Sequence, residues 1–277
     1  MGSATADIKG KLNYLWWAAT KALTADTICP ACGSNNAQFV RRKYLVTSLH
    51  ECQNCHIRFR VPKETAGRAE KLYNKETYRQ GSATDLPNPA ELAELLKCNF
   101  AGTERHFGRH IAILKSTLPD GAKILDFGCS WGYGSWQMKQ AGFDVYSYEV
   151  GEDRASYAKE QLGCKMVEDL SALYGTLDCL FSSHVIEHLP DPGILLSEAQ
   201  KLLATGGYFV CFCPNGNPDL QSRDYYHKVW GKVHPLFITP AFMAWALEKN
   251  HMTRCEMRAG EDMLGGELLT IARKALQ

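Results

Sequence analysis

Ile124-Leu125-Asp126-Phe127-Gly128-Cys129-Ser130-Trp131-Gly132-Tyr133-Gly134 sends an apolar run into a glycine-rich turn and on into a helical stretch. Glycine adopts positive φ and has no Cβ, so such a turn bends tightly and lets backbone approach a ligand closely. Gly128 and Gly132 are four apart, which is not the G-x-G-x-x-G spacing that wraps a pyrophosphate. Outward from this turn the same pattern repeats. Strands are predicted near 123–127, 144–149, 164–167, 178–183 and 207–213, with helices near 131–141, 152–162 and 192–204 between them. Short apolar runs alternating with helices predict an α/β, doubly wound parallel sheet. An irregular stretch from Asn215 to Pro240 comes next, then a helix near 240–250. Two closing strands near 253–259 and 267–274, joined through Gly260, Gly265 and Gly266, predict an edge hairpin.

Glu149, followed by Val150, ends the second strand 23 positions after Asp126. A carboxylate there can accept both hydroxyls of a ribose. Asp169-Leu170 follows the third strand, an acid and an apolar neighbour suited to an adenine amine and ring face. Each feature alone reads equally as a tight turn or a surface acid; their order within one strand–helix series carries the argument. Leu125-Asp126-Phe127-Gly128-Cys129 with Gly132 and Gly134, Glu149, Asp169, Leu177-Asp178 and His184 through Pro192 resemble the class I S-adenosylmethionine-dependent methyltransferases. Leu202-Leu203-Ala204-Thr205-Gly206-Gly207 resembles that family's L-x-P-G-G, with Thr205 where Pro is usual, and Pro214-Asn215 ends the strand that follows. The resemblance covers roughly residues 95–275.

The resemblance implies a Rossmann-like seven-stranded sheet with an antiparallel terminal hairpin, and S-adenosylmethionine as cofactor. Asp126, Gly128, Cys129, Gly132 and Gly134 would shape the pocket for the methionine moiety. Glu149 and Val150 would take the ribose, Asp169 and Leu170 the adenine, and Ser183 and His184 would face the sulfonium. Tyr73 and Tyr78 lie in a stretch resembling a lid found ahead of the core in related enzymes; ordinary helix packing is the alternative.

The chain of 277 residues divides by pattern into an amphipathic helix (1–27), a cysteine-paired segment (28–62), a helical lid or linker (63–120) and the sheet domain (121–277). Ile8, Leu12, Leu15, Trp16, Ala19 and Leu23 recur at helical spacing, which predicts an amphipathic helix rather than an export signal. No apolar run reaches the ~18 residues that a membrane span needs. Eleven cysteines without an export signal fit a reducing, cytoplasmic setting. Net charge is only +1, so the whole chain offers no polyanion-binding field and nucleic acid is not expected as a partner. Residues 1–70 are nevertheless basic, with ten Lys/Arg against five Asp/Glu. A solvated basic face is the plainer reading of that excess.

Cys29-Pro30-Ala31-Cys32 and Cys52-Gln53-Asn54-Cys55 are separated by 19 residues. Two such knuckles can converge four thiolates on one Zn²⁺, and Gly33 suits the tight turn after the first. The segment resembles a zinc ribbon of the kind that sugar- and polyketide-modifying methyltransferases carry. Cys52 to His56 also reads C-x-x-C-H, a haem-attachment string, but that reading needs export and leaves Cys29 and Cys32 unexplained. A redox dithiol would open a helix, and neither pair does. Four protein ligands predict a structural site, which could also dock a partner protein.

His184-Val185-Ile186-Glu187-His188 matches the H-x-x-E-H of inverted zinc proteases, yet it ends a strand and is followed by Pro190 and Pro192 instead of lying on a long helix. Three readings stay open. Glu187 and His188 brace the turn; or His188 or His234 is a general base; or His184, Glu187, His188 and His234 surround a second divalent metal. The last follows from a resemblance to small-RNA and ubiquinone-pathway O-methyltransferases, which carry E-x-x-E-H here. His184 stands where their first Glu would be. Arg223, Tyr225, Tyr226, His227, Lys228 and Trp230 suit a cap over a polyhydroxylated or phosphorylated acceptor, with a packed surface loop as the alternative. The expected activity is O-methylation of a small polar acceptor, a sugar or glycan preferred. Alternatives are C-methylation of a deoxysugar, 2′-O-methylation of an RNA end, or a catalytically silent docking protein.

Overall fold

A computed structural model describes residues 2–69, 83–217, 233–259 and 266–275, with side chains from Leu12 onward. Tyr73, Tyr78, Arg223, Tyr225, Tyr226, His227, Lys228, Trp230, Gly260 and Gly265 lie outside the described residues. The chain forms α1 (Gly2–Ala22), β1 (Ala37–Lys43), β2 (Thr47–Cys52), β3 (Arg58–Val61), α2 (Pro89–Lys97), α3 (Gly108–Thr117), β4 (Lys123–Phe127), α4 (Tyr133–Gln140) and β5 (Asp144–Tyr148). It continues with α5 (Glu152–Leu162), β6 (Lys165–Met166), β7 (Leu177–Ser183), α6 (Gly193–Leu202), β8 (Leu203–Pro214), β9 (Leu236–Phe237), α7 (Pro240–Lys249), β10 (Met252–Ala259) and β11 (Glu267–Lys274). Seven strands in the order β10-β11-β8-β7-β4-β5-β6 make the mixed sheet expected from the sequence, and β1-β2-β3-β9 make a second, four-stranded one. None of the described helices is long and apolar enough to cross a membrane.

Contacts divide the chain into two compact units. One is Glu70–Ser183 with Lys201–Val210 and Lys274–Gln277. Its parallel strands β4, β5 and β7 are joined in register, Leu125 opposite Tyr146 and Leu180. Ile124 to Phe127 are all buried, as strands covered on both faces must be. Local chemistry sets the helix ends. Asn88 and Glu91 form a reciprocal capping box with Pro89 in the first turn of α2, and Gly163 in the left-handed region closes α5. Trp131, fully buried, packs with Leu92, Phe100 and Leu162, and its indole N–H donates to the Ala83 carbonyl at 2.9 Å. The buried ring thereby finds the partner that its one polar atom requires.

β8 begins at Leu203, four residues before the expected start. Gly206 has φ +78°, and a Cβ on Gly207 would meet the Leu177 carbonyl at 2.9 Å. These glycines bend the strand and let it approach its neighbour instead of ending a loop. Thr205 keeps the N–H that a proline would lack.

The other unit is Met1–Ala69 with His184–Gln200 and Cys211–Arg273. β1, β2 and β3 pair antiparallel, and β3 pairs with β9, Phe59 opposite Leu236. α1 is helical as expected but faces the other way. Tyr14 and Ala18 are buried, whereas Leu12, Trp16 and Leu23 are 61%, 75% and 94% exposed. The cause is a buried charge cluster. Glu64 accepts from Arg60 at 3.0 Å and Arg68 at 2.9 Å, and the Arg68 guanidinium lies 3.9 Å from the Trp17 ring centre. Cations on aromatic faces turn Tyr14 and Trp17 inward; apolar spacing alone does not encode that preference.

Candidate active site and metal centres

The turn after β4 is built by backbone handedness. Gly128, Ser130 and Gly132 have φ of +81°, +53° and +87°. The Gly128 and Cys129 N–H groups donate to the Tyr148 carbonyl at 2.8 and 3.0 Å, tying the turn to the end of β5. The reasons for the later glycines are found within the protein. A Cβ on Gly132 would meet the Cys164 sulfur at 2.7 Å, and one on Gly134 the Phe107 ring at 2.5 Å. Their missing Cβ atoms serve packing within the protein.

Glu149 is saturated. Its carboxylate accepts from the Ser130 N–H at 3.0 Å, the Gly151 N–H at 2.7 Å and Arg154 at 3.3 Å, while Val150 beside it is exposed. It therefore clamps the glycine turn to the strand end where a ribose is expected. Beneath it, buried Asp126 accepts from Ser135 Oγ at 2.6 Å, and Ser147 Oγ donates onward to Ser135 at 2.9 Å. Burial pushes the Asp126 carboxyl up to about 7; the Ser135 bond opposes this and the Glu149 charge adds to it. Cys129 is buried, its thiol pushed well up by burial, so it is no nucleophile. Asp169 caps a short 3₁₀ turn, Leu170–Leu173, accepting from the Ser171 N–H at 2.9 Å and hydroxyl at 2.7 Å. Leu170, half-buried, opens that turn.

In the other unit, Cys29, Cys32, Cys52 and Cys55 bring their sulfurs within 4.8 Å of one another, all as free thiols. Cys29–Cys55 and Cys32–Cys52 separations are 3.5 Å, near the roughly 3.8 Å edge of a tetrahedron with ~2.3 Å Zn–S bonds. The two knuckles match in detail. Gly33 after Cys32 and His56 after Cys55 both sit in the left-handed region, φ +70° and +62°, and their N–H groups donate to the Cys29 and Cys52 carbonyls at 3.0 and 2.9 Å. His is among the residues that tolerate this conformation, which accounts for the haem-like string.

After Ser183 ends β7, His184 turns with φ +55° and Ile186–His188 make one 3₁₀ turn. Glu187 is 1% exposed, and neither carboxylate oxygen has a hydrogen-bond donor. Burial pushes its carboxyl up, and the imidazoles of His184, His188 and His234 more than reverse this, holding it at about 2. A buried, ionised carboxylate without a hydrogen-bond donor is costly, and the neighbouring imidazoles offset that cost only in part. His188 donates from Nδ1 to the Val233 carbonyl at 2.9 Å, which places Nε2 3.8 Å from Glu187. The His188 and His234 rings are 4.6 Å apart. Glu187, His188 and His234 thus bring one ligand atom each within 4.8 Å of one another. His184 joins differently, with Nδ1 3.4 Å from Glu187 and Nε2 2.8 Å from Glu267 on β11. Glu267 was not anticipated. It lies 83 residues from His184, and no local pattern marks it.

Comparison with known proteins supplies the chemistry. The profile of a methyltransferase-domain family matches residues 103–252, more than half of the chain. A ubiquinone biosynthesis O-methyltransferase of Psychrobacter arcticus is 29% identical over 181 residues, 56% of this chain and 66% of that protein. The chain thus spans just under two thirds of that relative's length. Among solved structures, an S-adenosylmethionine-dependent methyltransferase from Methanosarcina mazei shares the fold (TM-score 0.51, 18% identity, 60% of this chain and 98% of that one). So does a chain from the complex of the Haloferax volcanii Trm112 methyltransferase activator with a methyltransferase (TM-score 0.52, 14% identity, 69% and 100%). With its mixed seven-stranded sheet and the glycine turn at the end of β4, the chain belongs to the class I S-adenosylmethionine-dependent methyltransferases.

Proposed function

We propose that this methyltransferase transfers the methyl group to a hydroxyl oxygen of a small acceptor, and that a divalent cation at Glu187, His188 and His234 assists. One observation carries the proposal: an ionised, buried carboxylate with no hydrogen-bond donor on either oxygen, beside two imidazoles whose ligand atoms converge on it. The donor set fits. Two His and one carboxylate leave coordination positions open, as catalytic sites require, while the four thiolates of the ribbon would close theirs around a structural Zn²⁺. Such a cation, when bound, lowers the pKa of a hydroxyl coordinated to it. The Val233 carbonyl fixes the His188 tautomer so that Nε2 faces the site, as the outer partner of a ligating imidazole would, and Glu267 accepts from His184 and holds that ring beside Glu187.

On the donor side, Glu149 holds the turn that would cradle the nucleoside, with Asp169 and Leu170 at the adenine end. Buried Asp126 offers a carboxyl whose ionised form favours the donor's positive charge. S-adenosylmethionine, when bound, would supply a sulfonium methyl for the acceptor oxygen and leave as the thioether, and His188 or His234 would take up the hydroxyl proton.

The sugar expectation draws on Arg223 to Trp230, which lie outside the described residues, and on the ribbon's resemblance to that of sugar-modifying methyltransferases. The Psychrobacter relative's name favours a hydroxyl on a quinone precursor instead. Calorimetric titration with S-adenosylmethionine, then methyl release with a dihydroxybenzene and with a deoxysugar, each with and without chelator, tests the reading. Phenolic turnover that stops in chelator and returns with Mn²⁺ or Mg²⁺ supports it. Full activity in chelator, with no metal beyond that held by the thiolates, removes the cation.

A further inference from the structure

We propose that the thiolate ribbon is the brace that sets His234 beside Glu187 and His188, so that filling the four-cysteine site and ligand binding at the histidine cluster are coupled. The inference rests on reading that cluster as a cation site.

The argument starts from what holds His234. It lies on a stretch whose described part, residues 233–239, carries little structure of its own: β9 is two residues long, and those seven residues hold no helix. The segment is held on one side by the His188 bond to Val233 and by the Gly216 N–H, which donates to the Ile238 carbonyl at 2.9 Å, and on the other by the ribbon. The Arg60 N–H donates to the Pro235 carbonyl at 2.8 Å. Phe59 and Arg58 pair antiparallel with Leu236 and Phe237. The Thr239 hydroxyl donates to the His56 carbonyl at 2.8 Å. Phe59, Arg60, Leu236 and Phe237 are all buried, so this seam excludes water.

The partners on the ribbon side begin at the residue after Cys55. His56 is itself held by its N–H bond to the Cys52 carbonyl, and the Cys52 N–H returns to the Ile57 carbonyl at 2.9 Å. A metal on Cys52 and Cys55 therefore fixes the knuckle, the knuckle fixes β3, and β3 is the strand on which β9 is laid. Small thiolate modules gain much of their folding free energy from the metal. Without it β3 loses its anchored end and His234 its frame. A coordination site tolerates errors of only about 0.2 Å, so a modest loosening of residues 233–239 is enough to weaken it.

The test uses the full chain with Zn²⁺ in the ribbon, Mn²⁺ as probe of the cluster, and amide hydrogen exchange as a second readout. Cys32→Ser alters the least buried of the four cysteines. Thr239→Asp leaves the thiolates alone and keeps an oxygen to cap α7, but has no hydroxyl to donate to His56; Thr239→Ser restores the donor. Cys32→Ser should speed exchange at Arg60 and across 236–239 and weaken Mn²⁺ binding at least about ten-fold, with exchange in β4 and β5 unchanged. Thr239→Asp should do the same more mildly and Thr239→Ser should not. Unchanged exchange and Mn²⁺ affinity in a folded, zinc-depleted Cys32→Ser protein overturn the brace. If Cys32→Ser does not fold, the Thr239 pair decides alone. If wild-type protein binds no Mn²⁺ and Glu187→Gln changes nothing, the cation reading has failed, and exchange at 236–239 still decides the brace.

Discussion

Glu149 and Glu187 both stand just past the end of a parallel strand, and the fold treats them in opposite ways. Glu149 collects the Ser130 N–H from the glycine turn after β4, and the Gly151 N–H and Arg154 guanidinium from its own turn and the helix that follows. Glu187 is buried and collects none. A satisfied carboxylate is part of the scaffold and shapes a site through what it holds. An unsatisfied one stores a desolvation cost that a bound ligand can relieve. The same residue type is thus a satisfied clamp in one unit and a buried group without a donor in the other.

That contrast is sharpest where substitution should matter most. Glu187→Gln should lower the methylation rate by about 10²–10⁴-fold with donor affinity unchanged, read by turnover and calorimetry on one preparation. An unchanged rate would return Glu187 to the bracing role. Glu149→Ala should do the reverse, weakening the donor about 10–100-fold as charge-assisted bonds to the turn are lost, with metal content intact; undiminished donor binding would break the comparison.

Asp126 gives an effect of intermediate size. Its folded value of about 7 lies above the usual 3.8, and a cationic donor favours the ionised form. Donor affinity should therefore rise several-fold from pH 6 to pH 8 and level off above, by roughly the fraction ionised. Asp126→Asn should flatten that curve. The sign for stability is opposite: the carboxyl favours the folded state fully below about pH 4 and loses that contribution as pH rises through 7. Smallest is Arg154→Ala, which removes the longest of the Glu149 bonds and leaves both N–H donors, a change of about two-fold in donor affinity.

The sheet was legible in the sequence because parallel strands are short, apolar and set off by glycine, and Asp126, Glu149 and Asp169 fall where that series puts them. The two thiolate knuckles were equally legible, since their spacing is the signal. What escaped has a common cause. Glu267 reaches His184 from a distant strand, β9 is too short to have a period, and the inward face of α1 is chosen by Arg60 and Arg68, not by its own apolar residues. These are tertiary decisions with no local trace. His56 shows the converse, a motif-like string produced by the handedness of one backbone turn.

β1 is the outer strand of the ribbon sheet and exposes Phe39 and Val40 there. An open apolar edge invites another chain to extend the sheet. The register shift between Phe39 and Arg41, and the run Arg41-Arg42-Lys43 that follows, interrupt that template with a kink and three like charges. Solubility at high concentration should then depend on ionic strength, because salt screens the repulsion that keeps neighbouring molecules from joining edge to edge.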